Sequence, residues 1–316
     1  MRLILTLIFT CAIVRAGEPL RVSVTRMSVS APLFYAQEHG LFKKAGLAVE
    51  LREFELGKTS VEEMLAGKLD VAFAAVTPLV YKCMEGEQFR ILGTVGASTG
   101  LVALAARKDF GIQTLADVRG KRVGVVRQTS GEFFFDTLRV LNRIPRDSVH
   151  IENRSVQGLD AGMRDGTLDA AVMWEPQLQM LRMSLTNRLI LFYGEGLYTF
   201  SWNMVVLPDT IQKRRGELEK FMDALFEAAD LIEANPTAAA AELIARLGAQ
   251  GRELTIGFKD NRYRPQLGQE LLVQMEGEAR WIISRDNRTN TPPNVLRWVD
   301  TSILKKSHGS AVTVIQ

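Results

Sequence analysis

Five short stretches carry the residue types that could do chemistry: Met27-Ser28-Val29-Ser30, Gly57-Lys58-Thr59-Ser60, Val76-Thr77-Pro78, Arg127-Gln128-Thr129-Ser130-Gly131 and Trp174-Glu175-Pro176. Each follows an apolar, β-rich run and leads into a helix-period run, which puts hydroxyls, glycine or proline at a helix N-terminus. Unpaired backbone N–H groups there, with hydroxyls beside them, suit a small polar or anionic molecule without a full opposing charge. Ser and Thr are also ordinary N-caps, and one such turn alone would mean no more than that. Their recurrence in both halves of the chain points to a ligand, with Ser28, Ser30, Thr59, Ser60, Thr77, Thr129 and Ser130 as expected contacts. Trp174 ends an apolar strand, and Trp202 lies in Phe200-Ser201-Trp202-Asn203, where the chain is expected to return to its first half. Buried indoles are usually structural, but both fall where the halves should meet, so flat walls of a cleft are expected. Glu175 either caps the next helix, the stronger reading, or pairs with a ligand amino group.

The catalytic signatures fail. Gly96-Ala97-Ser98-Thr99-Gly100 fits the G-x-S-x-G turn of hydrolases, which needs a strand before it, a helix after it and a later histidine as base. A strand-like run, Leu101 to Ala106, follows instead, and the only histidines are His39, His150 and His308. Ser98 and Thr99 read as hinge or pocket residues. The histidines stand apart with no partner at metal spacing, and neither G-x-G-x-x-G nor a G-x-x-x-x-G-K-[ST] phosphate loop is present. No catalytic residue, metal or cofactor is expected. Cys83 reads as a small buried hydrophobe.

The elements that must hold these turns alternate. Strand candidates are Leu20–Thr25, Ala48–Phe54, Val71–Val76, Arg90–Val95, Leu101–Ala106, Arg122–Val126, Ser148–Asn153, Ala170–Trp174 and Leu189–Phe192, with helix-period segments between most of them. Such alternation predicts an α/β protein with parallel-type sheets. The segment from Met64 through Gly67, Leu69-Asp70 and Ala72 to Pro78 matches Met163, Gly166, Leu168-Asp169 and Ala171 to Pro176, about 99 residues on. Each copy is a helix stopped by Gly, a Leu-Asp entry, an apolar strand and a Pro-started helix, so two related lobes are favoured. Long helices over Ile211–Ala234, Pro236–Leu247 and Leu267–Ile283 are expected to pack on the first lobe and brace the junction. The residues from Lys305 should thin into a mobile tail.

Composition agrees with two packed bodies: 316 residues, 47% hydrophobic and 24% charged, with 39 basic against 36 acidic side chains. That balance, a net charge of +3, is not the footprint of a nucleic-acid binder. Arg2, an apolar run from Leu3 to Val14 and small residues at Val14 and Ala16 match a secretory signal peptide cut after Ala16. The run falls short of the roughly 20 residues that span a bilayer. Cleavage would remove Arg2, Arg15 and Cys11 and lower the charge from +3 to +1.

Ala31-Pro32-Leu33-Phe34-Tyr35-Ala36-Gln37-Glu38-His39-Gly40-Leu41-Phe42 with Gly46-Leu47, then Gly67-Lys68-Leu69-Asp70-Val71-Ala72, Leu115-Ala116-Asp117-Val118-Arg119-Gly120-Lys121-Arg122-Val123-Gly124-Val125 and Trp174-Glu175-Pro176, occur in that order. In these stretches the chain resembles the nitrate, sulfonate and taurine class of periplasmic solute-binding proteins of ABC transporters, which includes binders of thiamine pyrimidine precursors. The resemblance runs from about Leu20 to Asp300. It implies a two-lobed Venus-flytrap fold of type II-like layout, a monomer that closes on a small-molecule ligand by hinge rotation and delivers it to an inner-membrane permease. The expected division is 1–16 leader, 17–100 plus 199–304 first lobe, 101–198 second lobe and 305–316 tail. With only Lys58, Arg26 and Arg127 near the turns, simple inorganic anions fit less well than sulfonates, aminosulfonates or aromatic heterocycles. Two alternatives share the fold: a biosynthetic enzyme of pyrimidine-precursor or menaquinone type, whose iron-binding cysteine run or cytoplasmic setting this sequence does not match, and a ligand-binding sensor component.

Overall fold

The computed structural model describes residues 18–194 and 196–315. The expected leader and its cleavage position lie outside the described residues.

Eleven strands are described: β1 (Leu20–Val24), β2 (Val49–Glu53), β3 (Ala72–Ala74), β4 (Arg90–Ser98), β5 (Val102–Arg107), β6 (Arg122–Val125), β7 (His150–Asn153), β8 (Ala170–Trp174), β9 (Leu189–Tyr193), β10 (Phe200–Val206) and β11 (Asn261–Arg262). Strands β1 and β2 pair in parallel, and Val22 bridges to Val71 just ahead of β3. A four-stranded sheet runs in the order β11-β4-β10-β3, and a five-stranded sheet in the order β7-β6-β8-β5-β9. The chain passes from the first group to the second between β4 and β5 and returns between β9 and β10.

The four-stranded sheet is antiparallel throughout and the five-stranded sheet is mixed, which corrects the expectation of parallel-type sheets. Strand β10 is antiparallel to both β3 and β4, and β5 is antiparallel to both β8 and β9. The crossovers explain this: a strand that re-enters a sheet from the other body runs against the strands that left it, while βα crossovers within a body keep β6 parallel to β7 and β8. Strand β10 escapes the sequence pattern because Ser201 and Asn203 interrupt its apolar run, although all seven of its residues are buried.

The internal match corresponds to one repeated device. Asp70 accepts hydrogen bonds from the Arg21 amide (2.8 Å) and guanidinium (3.0 and 2.9 Å), and Asp169 accepts them from the Arg122 amide (2.8 Å) and guanidinium (3.1 and 2.8 Å). Burial opposes the charge in both, yet these bonds hold both carboxyls below their ordinary range. Gly67 and Gly166, at φ of +74° and +82°, turn the chain out of the preceding helix in a conformation that costs other residues.

The helices at Pro208–Ala234 and Gln269–Arg285 cover the first body, the latter packing on helix Val76–Glu85. The latter also reaches the second body: Trp281 Nε1 donates to Asp136 (2.9 Å), and Arg285 pairs with Glu132 (2.9 Å). The described residues after Lys305 do not form the expected tail. Helix Ser302–Ser307 leads into a segment whose Ala311 carbonyl accepts from the Leu267 amide (2.8 Å) and whose Thr313 amide donates to the Leu267 carbonyl (3.0 Å). Among the described residues no helix is long and apolar enough to cross a membrane.

Candidate functional site

The turns after β2 and β3 in the first body face those after β6 and β8 in the second across a narrow slot. Trp174, Trp202, Phe200 and Met27 form most of its wall, and Thr129, Ser130, Lys58 and Glu55 reach its edge. Phe200 and Trp202 stack with ring centroids 5.9 Å apart. Two glycines permit the close packing. A Cβ on Gly57 would lie 2.7 Å from the Trp202 ring and 2.8 Å from the Ala74 backbone, and one on Gly131 would lie 3.2 Å from Val172 and 3.8 Å from the Trp174 ring. The slot offers about 40 Å³ to the centre of a water molecule, where one water needs about 10–15 Å³. As it stands it takes a small functional group or a flat fragment.

The expected contacts divide by what their polar atoms are already doing. The Ser28 hydroxyl and the indole N–H of Trp202 are buried without a hydrogen-bond partner among the described residues, and the buried Thr77 and Ser130 hydroxyls face the Glu278 carboxyl and the Tyr198 phenol. Ser130 and Trp202 line the slot, and Ser28 and Thr77 adjoin its lining residues Met27 and Pro78. Two orphaned donors beside one cavity, Ser28 and Trp202, are costly unless something accepts from them. Other expected residues are committed elsewhere. Ser30 meets Thr25 (3.2 Å), Ser60 donates to the Gly57 and Phe73 carbonyls (2.8 and 2.9 Å), and Thr129 donates to the Val126 carbonyl (2.6 Å) although it lines the slot. Thr59 is exposed and is not part of the lining, so its expected contact is corrected. Glu175 is the helix cap: it accepts from the Gln179 amide (2.9 Å) and pairs with Arg182 (2.6 Å). Burial still raises its pKa, against the pull of Arg182. Trp174 lines the slot.

Sequence reading missed what lies behind these turns. Glu278, on helix Gln269–Arg285, has no exposed surface, and its Oε2 has no partner among the described residues. Burial pushes its carboxyl up to about 7, while the nearby Thr77 hydroxyl and the Gln274 amide, which donates at 3.0 Å, pull the other way. The Tyr198 phenol, on the return crossing, is driven well above its usual range by burial and by Glu278, with Ser130 opposing. Only the hydroxyl-rich turns signalled this cluster, because Glu278 is some two hundred residues from Thr77.

Two open grooves flank the slot and differ in sign. The one sharing Met27, Glu55 and Trp174 with it carries three carboxylates, Glu53, Glu55 and Glu253, against Arg26. The one sharing Lys58 carries five cations against Glu132 and Asp286. Among the described residues no cluster of His, Cys, Asp or Glu is gathered as a metal would need, and burial pushes the Cys83 thiol up, away from nucleophilic use.

A family model described as NMT1/THI5 like matches residues 27–239, more than half of the chain. The chain belongs to this family. A protein of Brucella abortus named provisionally as a binding protein is 22% identical over 204 residues, 64% of this chain and 62% of its own length. One of Bacillus subtilis, named provisionally for aliphatic sulfonate binding, is 27% identical over 193 residues, 59% of this chain and 58% of its own. These matches therefore span about three fifths of the relatives' length. Among solved structures, the alkanesulfonate-binding protein SsuA from Xanthomonas axonopodis pv. citri, bound to MOPS, superposes with a TM-score of 0.75 at 17% identity, covering 90% of this chain and 99% of that one. The desulfurization enzyme DSZB superposes with a TM-score of 0.62 at 17% identity over 92% of this chain and 99% of its own. The family member described here thus has the periplasmic-binding-protein fold, a fold that also carries enzymes.

Proposed function

We propose that this protein is an extracytoplasmic solute-binding protein that captures a small organic sulfonate in the slot between its two bodies and hands it to an ABC permease. The observation that carries the reading is the pair of buried donors without partners, on Ser28 and Trp202, beside an otherwise apolar slot whose Ser130 hydroxyl is met only by the Tyr198 phenol. A sulfonate has three acceptor oxygens and an apolar body, which matches donors set in such a wall. Its charge would be met by hydrogen bonds and fixed dipoles, since Lys58 is the one cation among the described residues that lines the slot. The provisional name of the Bacillus relative and the ligand class of the Xanthomonas structure support the same class. The indole walls also favour a flat heterocycle such as a pyrimidine, the second reading.

Thermal shift of the chain from Gly17 against alkyl and aryl sulfonates, taurine, nitrate and pyrimidines tests both. A ligand at a hundred times its Kd adds about 2.7 kcal/mol of stability. Trp202→Phe removes the indole N–H and keeps the wall, and should weaken a sulfonate about tenfold; an unchanged Kd would remove Trp202 from the contacts. Mass spectrometry of the recovered ligand separates binding from turnover: an enzyme returns product. N-terminal sequencing of protein exported by a bacterial host should begin at Gly17, and an intact Met1 would overturn the extracytoplasmic assignment.

A further inference from the structure

We infer that the ligand carries a second anionic group, which leaves the slot beside Lys58 and binds in the basic groove against Arg127. This rests on the sulfonate reading of the slot and extends it to a class: elongated sulfonates with a second acidic group at the far end. The slot is too small to hold such a molecule whole, and the groove beside it offers about 620 Å³. Lys58 is the one lining residue the two share, so a molecule passing from one to the other runs along it.

The cations of the groove are not equally available. Arg154 pairs with Glu152 (2.6 Å), Arg285 with Glu132 (2.9 Å) and Arg288 with Asp286 (3.1 Å). Lys58 and Arg127 have no carboxylate partner among the described residues. Lys58 instead donates across the gap to Gln128 Oε1 (2.6 Å), and Arg127 is exposed. Two unspent cations at one edge are what an anion would neutralise.

The backbone between them is held in an unfavourable state. Gln128 has φ of +61°, a left-handed conformation that a residue with a long side chain rarely takes, and Glu132 fixes it by accepting from the Gln128 amide (2.9 Å). That conformation places the Gln128 amide oxygen on Lys58 and keeps Arg127 at the groove's edge. The opposite groove, with three carboxylates against one arginine, repels an anion, so the charges on either side of the slot fix which end of the molecule goes where.

The test is calorimetric titration of p-toluenesulfonate and 4-sulfobenzoate, which differ by a methyl against a carboxylate, into the wild-type chain and Arg127→Gln. In low salt, 4-sulfobenzoate should bind about tenfold more tightly to wild type, and the advantage should fall below about threefold in Arg127→Gln and in high salt. The affinity of p-toluenesulfonate should not move, because Arg127 does not line the slot. Equal affinity of the two ligands for wild type, or an advantage that survives Arg127→Gln, overturns the second subsite and leaves the slot reading standing. If neither compound binds while an alkyl sulfonate or taurine does, the two-ended ligand falls alone; if no sulfonate binds, the slot reading falls with it.

Discussion

The two halves solve the same local problem and then diverge. Asp70 and Asp169 each anchor a strand entry to an arginine of a neighbouring strand with nearly the same bond lengths. Asp70 also receives Arg214 (3.0 Å) from helix Pro208–Ala234, and Asp169 has no counterpart to it among the described residues. The helices beyond each turn differ in the same sense. Val76–Glu85 is covered by helix Gln269–Arg285, whereas Gln177–Leu185 leaves Met180 and Met183 half and three-quarters exposed. One half is therefore a platform built up by later chain, and the other a lighter body that later chain touches through Trp281 and Arg285.

The comparison can be broken at three depths. The largest effect is expected from pH, because Glu278 is buried beneath the ligand-facing turn of the first half. Its carboxyl sits at about 7 in the folded chain against 4.5 for the ordinary group, so the folded state holds the proton more tightly. Stability from this group is greatest below pH 4.5, falls as pH rises to about 7, and is flat above, a loss of up to about 3 kcal/mol. Glu175, also raised, contributes with the same sign. Chemical denaturation from pH 4.5 to 8 should show the decline, and Glu278→Gln should flatten most of it; a decline unchanged in the variant would mean that Glu278 is not its source.

Next in size is the contrast between Gly57→Ala and Gly131→Ala. At Gly57 the methyl meets backbone as well as the Trp202 ring, so a cost of about 2 kcal/mol and loss of ligand binding are expected. At Gly131 the nearest atom is a valine methyl at 3.2 Å, and the change should stay within about 0.5 kcal/mol. Equal destabilisation would show that the two indole walls are packed alike. Smallest is the difference between Asp70→Asn and Asp169→Asn. Both lose a charged acceptor, at about 2 kcal/mol each, but the first also gives up Arg214, which keeps Glu217, and should cost about 0.5 kcal/mol more. In an Arg214→Ala background that excess should vanish.

Much of this arrangement was legible in the residues. The strand at Ala170–Trp174 and the helix at Pro236–Leu247 stand where they were expected, because buried apolar runs with Gly, Asp or Pro at their borders are strong local signals. The hydroxyl-rich turns face one another, but their sequence does not say which hydroxyls remain free. Ser60 is spent on a carbonyl thirteen residues away and Ser28 is not, a difference set by packing. Strand β10 and Glu278 were invisible for the same reason. Polar Ser201 and Asn203 break the apolar run of β10 and are buried only by its neighbours, and a buried acid is likewise defined by neighbours far along the chain.

The register of β4 against β10 has a consequence for how such a protein can be rebuilt. Phe200 lies opposite Ser98, so the point where the chain leaves the first body and the point where it returns are partners on adjacent strands. Everything between them enters and exits through one doorway in a sheet that is otherwise complete. The 101–198 segment is in that sense a cassette: a homologous segment grafted between Ser98 and Phe200 would bring a new wall, a new Gln128 loop and a new groove to an unchanged platform. Ligand preference could then be exchanged a half at a time.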